Sequence, residues 1–368
     1  MKKKILFGAV DIGHRIETYS NYIQKYHFKK LKPESLAIFI LPEEHYKLSY
    51  TYEYHFAGRN VWYRWSRATL IFFFFFFRYD IFHFLSGETL LPRKVRQFEL
   101  MVYKIFGKRI IMHFVGCDIR SLDYSYWKAK NIKQYLNGLD NFPKSLPWQK
   151  KLIKDTQNYA DEILVSSPDL LEIIPEATYF PVLLDLEKFL NELNKAANVK
   201  RHQGEIIILH SPSNIKHTQT KGTDYIINIL NKIAATREYN IRLILPSETN
   251  KKRNTTYSSS RYEMFQHYNE ADIIIDQLIT GWYGLLSLEA LASGKQAICY
   301  VDEHLKKYLF PKCPINIATV NNLENVVIEC IENILNGKLP DQSAQIDWVR
   351  KYHTIENNNA PLLKAWGL

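Results

Sequence analysis

Two lysines in the second half of the chain lie in a polar loop between a buried strand and a helix. Lys216 and Lys221 belong to the segment His210–Ile227, in which the helix is predicted to begin near Gly222–Thr223. Two ammonium groups beside a helix N-terminus suit a diphosphate, because their charge neutralises it while unpaired backbone amides bond its oxygens. The same residues are also compatible with a solvated basic loop that binds nothing.

A glycine-containing loop further along the chain could also bind phosphate. Within Ala271–Tyr300 a buried strand leads into Gly281–Gly284, which opens a helix that is followed by another strand. Amides at a helix N-terminus and the helix dipole both favour phosphate, so this loop is a candidate anion site. Glu289 lies on the first turns of the helix, where its carboxylate could accept hydrogen bonds from two sugar hydroxyls. A solvated helical glutamate is the alternative.

Both loops belong to a chain in which strands and helices alternate in two successive sets. The first set of predicted strands is Lys4–Val10, Leu36–Leu41, Asp80–Phe84, Arg109–Phe114 and Glu162–Val165. The second set is Glu205–His210, Ile241–Leu245, Asp272–Asp276 and Gln296–Tyr300. Each set predicts a parallel sheet with crossover helices, and ligands bind where the carboxyl ends of such strands meet helix N-termini. The polar stretch Asn191–Gly204 is predicted to be the linker.

The length and charge of the chain fit this division. At about 100–200 residues per domain, 368 residues suggest two domains, and 46% hydrophobic with 23% charged residues excludes global disorder. The net charge is +10, and residues 1–180 hold 27 Lys/Arg against 18 Asp/Glu. These basic residues are scattered rather than arranged as a stripe, so nucleic acid is not an expected partner.

The cysteines and the N-terminus indicate a cytoplasmic protein. The four cysteines are Cys117, Cys299, Cys313 and Cys330. They form no C-x-x-C pair, so they predict buried thiols in a reducing compartment rather than a zinc site or a disulfide framework. The basic start Met1–Lys4 is followed too soon by Asp11 for a signal peptide, and a first strand fits better.

An aromatic segment in the first half has two interpretations. Ala68–Phe77 is apolar throughout, contains the run Phe72–Phe77 and is flanked by Arg64, Arg67 and Arg78. Ten residues are too few to span a bilayer. A buried crossover helix is one interpretation. The other is peripheral contact with an anionic membrane at its inner face, where arginines meet head groups and aromatic rings lie at the interface.

Taken together, these motifs resemble retaining GT-B glycosyltransferases, in particular family four. Members of that family carry a basic residue and then K-G, and later E-G-F-G-x-x-x-x-E-A-x-A-x-G-K-P. Lys221–Gly222 matches the first motif, and Gly281–Lys295 (GWYGLLSLEALASGK) occupies the second. Looser similarity in the first half comes from Asp80–Phe84, His113–Arg120 and Asn158–Phe189.

The resemblance implies an α/β chain of the GT-B fold, with two Rossmann-like doubly wound domains that face each other across a cleft. Residues 1–185 would form the acceptor-binding domain and residues 200–340 the nucleotide-sugar domain. Residues 341–368 would form a helical tail that crosses back to the first domain.

The resemblance also implies residue roles. Lys221 would contact the donor diphosphate, Lys216 would share its charge, and His113 would lie near the transferred sugar. The substrate-binding residues implied are Gly13 in the first loop, the amides of Gly284 and Leu285, and Glu289 at the ribose.

One motif position departs from the family. The first acid of its E-x(7)-E pair falls at residue 281, which is glycine here, and in relatives that acid contacts the sugar hydroxyls. Asp276 or Tyr283 could substitute for it.

The function implied is a retaining transfer of a hexose from a nucleoside-diphosphate sugar, with UDP favoured. The acceptor would be a glycan or a lipid-linked molecule in cell-surface polysaccharide or lipopolysaccharide biosynthesis. No cofactor or metal is expected, because the chain has no D-x-D and two lysines can neutralise the diphosphate. A GT-B nucleotide-sugar epimerase and a non-catalytic glycosyltransferase-like binding protein are the alternatives.

Overall fold

The chain forms two compact units. A computed structural model describes residues 2–11, 15–39, 50–116, 118–120, 147–196, 204–212, 221–237, 239–246 and 260–368. The first unit contains the described residues up to Pro181 together with Asn359–Leu368, and the second contains Val182–Asn358. Part of the predicted tail, residues 341–358, therefore belongs to the second unit.

The first unit is built on a parallel sheet. Its strands are β1 (Lys3–Gly8), β2 (Leu31–Phe39), β3 (Tyr52–His55), β4 (Ile81–Leu85), β5 (Arg109–Phe114), β6 (Glu162–Val165) and β7 (Thr178–Tyr179). They lie in the order β3-β2-β1-β4-β5-β6-β7, and every pair is parallel. The order changes direction between β1 and β4, which is the switch point where ligands bind in open α/β sheets.

The second unit repeats this plan with a smaller sheet. Its strands are β8 (Ile206–His210), β9 (Ile241–Ile244), β10 (Ile273–Ile275), β11 (Gln296–Cys299) and β12 (Asn316–Ile317). They are parallel in the order β12-β11-β10-β8-β9. The two parallel sheets with their crossover helices confirm the predicted α/β class.

Helices cover the two sheets. In the first half they are α1 (Arg15–Tyr22), α2 (Val61–Phe76), α3 (Arg96–Ile105) and α4 (Pro147–Tyr159). In the second half they are α5 (Leu186–Lys195), α6 (Thr223–Thr236), α7 (Arg261–Glu270), α8 (Leu285–Ala292), α9 (Leu323–Leu335), α10 (Gln342–His353) and α11 (Ala360–Trp366). Shorter turns are π-helical at Ile23–His27 and 3-10 at Arg93–Val95, Pro168–Glu172 and Glu303–Tyr308.

The linker prediction is wrong over its first residues. Residues 191–195 belong to α5, whose first turn is capped by the Asp185 carboxylate, 3.2 Å from the amide of Lys188. Leu186, Phe189 and Leu193 are buried and repeat at helical spacing. Asn191, Asn194 and Lys195 lie on the exposed side of this amphipathic helix, which explains the polar composition on which the linker prediction rested.

Helix α2 buries one side of the aromatic segment and exposes the other. Phe72, Phe75 and Phe76 are at most 4% exposed and pack into the core of the first unit. Phe73 and Phe77 on the other side of the helix are 52% and 75% exposed. Among the described residues, no helix is long and apolar enough to cross a membrane.

Candidate functional site

A buried carboxylate organises the carboxyl edge of the second sheet. Asp276 follows β10 and is 1% exposed. One of its oxygens lies 2.6 Å from the Lys221 ammonium. The other accepts hydrogen bonds from the Gly284 amide at 2.9 Å and from the Ser287 hydroxyl at 2.8 Å. Asp276 thus joins the lysine that precedes α6 to the loop that opens α8.

The ionisation of Asp276 is set by these partners. Burial raises its pKa, but Lys221 and the Gly284 and Ser287 donors outweigh burial, so the net pKa lies below the usual value. The carboxylate is therefore charged at neutral pH. It holds the Lys221 ammonium, whose side chain is 19% exposed, at the edge of the sheet. Asp276, proposed from the sequence as a sugar contact, positions Lys221 in this structure.

His210 anchors the start of α6 beside Lys221. Its Nδ1 lies 2.8 Å from the Ile275 carbonyl oxygen, and its Nε2 lies 2.9 Å from the Thr223 hydroxyl. Burial lowers the pKa of His210 to about 4, so the ring is neutral. A neutral ring bound to that carbonyl donates from Nδ1, and its Nε2 accepts the Thr223 proton. These two bonds fix the turn that carries Lys221.

Glu289 has protein partners on both oxygens. The Arg261 guanidinium lies 2.5 Å from Oε1, and the Tyr268 hydroxyl donates to Oε2 at 2.5 Å. The residue is only 4% exposed. The Arg261 guanidinium also lies 4.6 Å from the Phe265 ring centroid. Helix α7 therefore covers the carboxylate that the resemblance assigns to the ribose, and no motif in the sequence points to Arg261.

The position of the absent acid is occupied from another loop. Gly281 has φ +77°, and a Cβ there would lie 3.1 Å from Asp302 Cβ and 3.6 Å from Asp302 Oδ2. The Asp302 amide donates to the Gly281 carbonyl oxygen at 2.9 Å. Tyr283, the other proposed substitute, is 2% exposed, and its hydroxyl lies 3.2 Å from His353 Nε2. Asp302 is thus the carboxylate that adjoins residue 281.

The carboxyl edge of the first sheet carries a buried histidine and arginine. His113 is near the end of β5 and Ser166 directly follows β6, and their side chains are 2.8 Å apart. Arg15, the first residue of α1, donates to the Ser166 hydroxyl and lies 3.5 Å from His113 Nε2. Because arginine only donates, Arg15 favours the form in which His113 Nε2 accepts, and Nδ1 is buried without a hydrogen-bond partner among the described residues.

His113 is packed rather than open in this structure. It is 0% exposed, and burial together with Arg15 and His83 lowers its pKa well below the usual value. The ring of Tyr19 stacks on it at 6.1 Å. The His83 ring also stacks on Tyr19, at 5.5 Å, and His83 accepts a hydrogen bond from Trp366 at 3.0 Å.

The whole chain is similar to several solved structures at low sequence identity. Sucrose-phosphate synthase from Thermosynechococcus elongatus has a TM-score of 0.63 at 11% identity, covering 100% of this chain and 98% of that one. The Anabaena protein HepE, in complex with UDP and glucose, gives 0.63 at 10% identity, with 100% of both chains covered. A glycosyltransferase from Rickettsia africae gives 0.57 at 14%, covering 99% and 98%. No family model and no curated protein matches the sequence.

The chain has the GT-B fold. Coverage of the full length by these structures extends the likeness to both Rossmann-like units. At this identity the likeness establishes the fold, and it leaves the roles of individual residues to the geometry described above.

Within this GT-B chain, two predicted site residues lie outside the described residues. These are Gly13, in the loop before α1, and Lys216, in the loop before α6. The structure brings Lys221, Asp276 and Gly284 together, and it places Leu285 as the first residue of α8. Within the described ranges, no group of three His, Cys, Asp or Glu side chains could hold a metal ion.

Proposed function

We propose that this protein is a retaining glycosyltransferase that moves a hexose from a nucleoside-diphosphate sugar to an acceptor without a metal ion. The observation that carries the proposal is the Lys221–Asp276–Gly284 arrangement at the carboxyl edge of the second sheet. It places an ammonium group and the first turn of α8 at the edge where doubly wound sheets bind nucleotides.

UDP is the proposed nucleotide. The Anabaena protein that this chain resembles was solved with UDP and with UDP-glucose, and a similar Arabidopsis starch synthase was solved with ADP. Those ligands are properties of those proteins. They support a nucleoside diphosphate here because the shared fold presents the same edge of the second sheet.

In the proposed reaction Lys221 stabilises the diphosphate as it leaves. The bond between the anomeric carbon and the phosphate oxygen breaks, and negative charge grows on the diphosphate. The Lys221 ammonium and the amides of the first turn of α8, from Leu285 onward, stabilise that charge from fixed positions. The Gly284 amide is bonded to Asp276, so it holds the loop rather than the phosphate. Lys216 would add a second positive charge. The acceptor hydroxyl then attacks the face that the diphosphate leaves, and its proton passes to the departing phosphate.

Sugar and ribose recognition are proposed for two carboxylates. Asp302 adjoins the position of the missing acid, and its side chain is 13% exposed, so we assign it the sugar hydroxyls in place of residue 281. Glu289 would bind the ribose, with Arg261 orienting one of its oxygens. Asp302→Asn should raise the KM for the donor sugar and leave the affinity for free UDP unchanged.

The proposed acceptor is a glycan or a lipid-linked molecule in cell-surface polysaccharide synthesis at the inner face of the membrane. The support is the exposed aromatic side of α2, where Phe73 and Phe77 are exposed between arginines. An enzyme whose acceptor is anchored in a membrane gains from lying on that surface, because both partners then share one plane.

A donor panel tests the proposed function. Thermal unfolding of the protein is followed with UDP, GDP, ADP, CMP and dTDP and with their sugars, because a ligand bound only to the folded state raises the Tm. The expected result is that one nucleoside diphosphate and its sugar derivative raise the Tm. The protein should also slowly release the free nucleoside diphosphate from that nucleotide sugar. Stabilisation without any release over long incubation would instead favour the non-catalytic binding protein that Gly281 suggests. No stabilisation by any nucleotide would overturn the proposal.

A further inference from the structure

Exposed apolar side chains are concentrated on two neighbouring helices of the first unit. On α2 the exposed large side chains are Val61, Trp62, Leu70, Phe73 and Phe74, with Phe77 directly after the helix. On and directly after α3 they are Phe98, Met101, Ile105 and Phe106. Isolated exposed apolar residues are ordinary, but a contiguous group of this size marks an interaction surface.

The two helices form one surface because aromatic contacts join α2 to α3 and to Phe106 directly after it. The Phe76 ring lies 5.1 Å from Phe106 and 6.0 Å from Tyr103 of α3, and Phe72 lies 5.6 Å from Tyr103. Exposed Phe77 is 5.0 Å from Phe76. We call the exposed sides of α2 and α3 together the α2–α3 surface. Sequence analysis singled out only its α2 part.

The arginines in and next to α2 lie against aromatic rings rather than carboxylates. Residues 59–78 contain four arginines and no acid. Arg59 and Arg67 lie over the Tyr63 ring at 5.3 and 5.6 Å, and Arg78 lies over Phe74 at 4.6 Å. Among the described residues, none of these arginines has a carboxylate within 4.0 Å. By contrast Lys104 on α3 pairs with Asp161 at 2.5 Å.

We propose that the α2–α3 surface binds anionic phospholipid, with Phe73, Phe77 and Phe106 entering the boundary between head groups and acyl chains. Arginines beside aromatic rings fit that boundary, because the guanidinium meets phosphate while the ring meets hydrocarbon. A second copy of this chain fits the surface poorly, because its arginines would face identical arginines. The inference deepens the membrane contact proposed above, and its test requires no enzymatic activity.

Flotation with phosphatidylglycerol–phosphatidylcholine vesicles, compared with phosphatidylcholine alone, tests the proposal on the full chain. The wild type should float with the anionic vesicles at low salt and much less in 0.5 M NaCl, since salt screens the arginines. The double variant Phe73→Ser/Phe77→Ser should lose at least about tenfold in partitioning to the vesicles, because it removes two aromatic rings that the proposal buries in the membrane. Arg67→Gln/Arg78→Gln should lose about fivefold per arginine.

The matched control is Leu335→Ser/Leu339→Ser, which removes two side chains of the second unit that are 55% and 68% exposed. It should float as the wild type does. Thermal unfolding in buffer establishes that each variant is folded, which is expected because the changed side chains are exposed. Failure of the wild type to float, or equal flotation of Phe73→Ser/Phe77→Ser, overturns the proposal. So does a concentration-dependent dimer in sedimentation that this variant abolishes. None of these outcomes depends on nucleotide binding, so failure of the lipid proposal can be told apart from failure of the proposed function.

Discussion

Both carboxyl edges hold a buried carboxylate paired with a cation, but the cations of the second edge are the more exposed. At the second edge Asp276 meets Lys221 and Glu289 meets Arg261, and these two cationic side chains are 19% and 28% exposed. At the first edge Arg120 meets Asp169, with side chains only 9% and 0% exposed, and the neutral histidines are stacked on Tyr19. The second edge therefore presents cationic groups held in fixed places, as binding of a charged nucleotide requires. The first edge is closed by a buried ion pair and by aromatic packing.

Among the predicted effects, loss of the Asp276 carboxylate should be the largest. Asp276→Ala removes the partner of the mostly buried Lys221 ammonium and of two further donors, so we expect a loss of about 3–5 kcal/mol in the free energy of unfolding. Urea denaturation measures it. The control Glu324→Ala removes the exposed Lys232–Glu324 pair and should cost under about 1 kcal/mol. Equal losses in the two variants would show that the second edge is not held by Asp276.

The packed character of the first edge is tested at Trp366. Trp366→Phe keeps an aromatic ring but removes the N–H that binds His83, whose other ring nitrogen is buried without a partner among the described residues. We expect the free energy of unfolding to fall by about 2–3 kcal/mol, because a hydrogen bond is lost and the smaller ring leaves a cavity. Hydrogen exchange of β1 and β4 peptides reports it. A variant that exchanges like the wild type would contradict the packing role of α11.

The loop at residue 281 should be sensitive to a smaller change. Gly281→Ala forces an L-residue into φ +77° and brings a Cβ to 3.1 Å from Asp302. The free energy of unfolding should fall by about 1–2 kcal/mol, because the left-handed conformation is disfavoured for L-residues. The matched substitution is Gly337→Ala, where φ is +69° and no atom lies within 4 Å of the new Cβ. If Asp302 crowds residue 281, Gly281→Ala lowers the Tm more than Gly337→Ala; equal shifts would show that it does not.

Acid should weaken the second edge through His210. Its pKa is lowered to about 4 by burial, against about 6.5 in the unfolded chain, so the unfolded state takes up the proton first. The stabilisation from neutral His210 is complete above about pH 6.5 and decreases as the pH falls toward 4, at up to about 1.4 kcal/mol per unit. Between about pH 4 and 6.5, His210→Gln should reduce the slope of the free energy of unfolding against pH by the equivalent of about one proton. An unchanged slope would contradict this assignment.

The sequence predicted the strands that carry the site because continuous apolar runs are a local signal. Lys221 and Gly284 were found because each lies beside a strand end and a helix start. Their common partner Asp276 was found as a residue but not in its role. Arg261 and Asp302 were missed, since they reach Glu289 and Gly281 from 28 and 21 positions away, and no local pattern encodes such a contact.

Helix α5 was predictable from the sequence, but the exposed surface of α3 was not. Leu186, Phe189 and Leu193 repeat at helical spacing up to and into the polar stretch that was predicted to be the linker. The exposure of Phe98 and Ile105 was not predictable in that way, because the sequence shows that a helix has an apolar face but not whether protein covers it. That depends on which elements pack beside it.

Calorimetric titration with UDP tests whether the edge of the second sheet that carries the Lys221–Asp276 pair binds a nucleoside diphosphate. The variants are Lys221→Gln and, as a control, Lys232→Gln, whose lysine is 56% exposed and pairs with Glu324. We expect UDP to bind the wild type and the control, and to bind Lys221→Gln at least about tenfold more weakly, since a charge-assisted contact to phosphate is removed. Equal affinity of all three proteins for UDP would contradict binding at this edge.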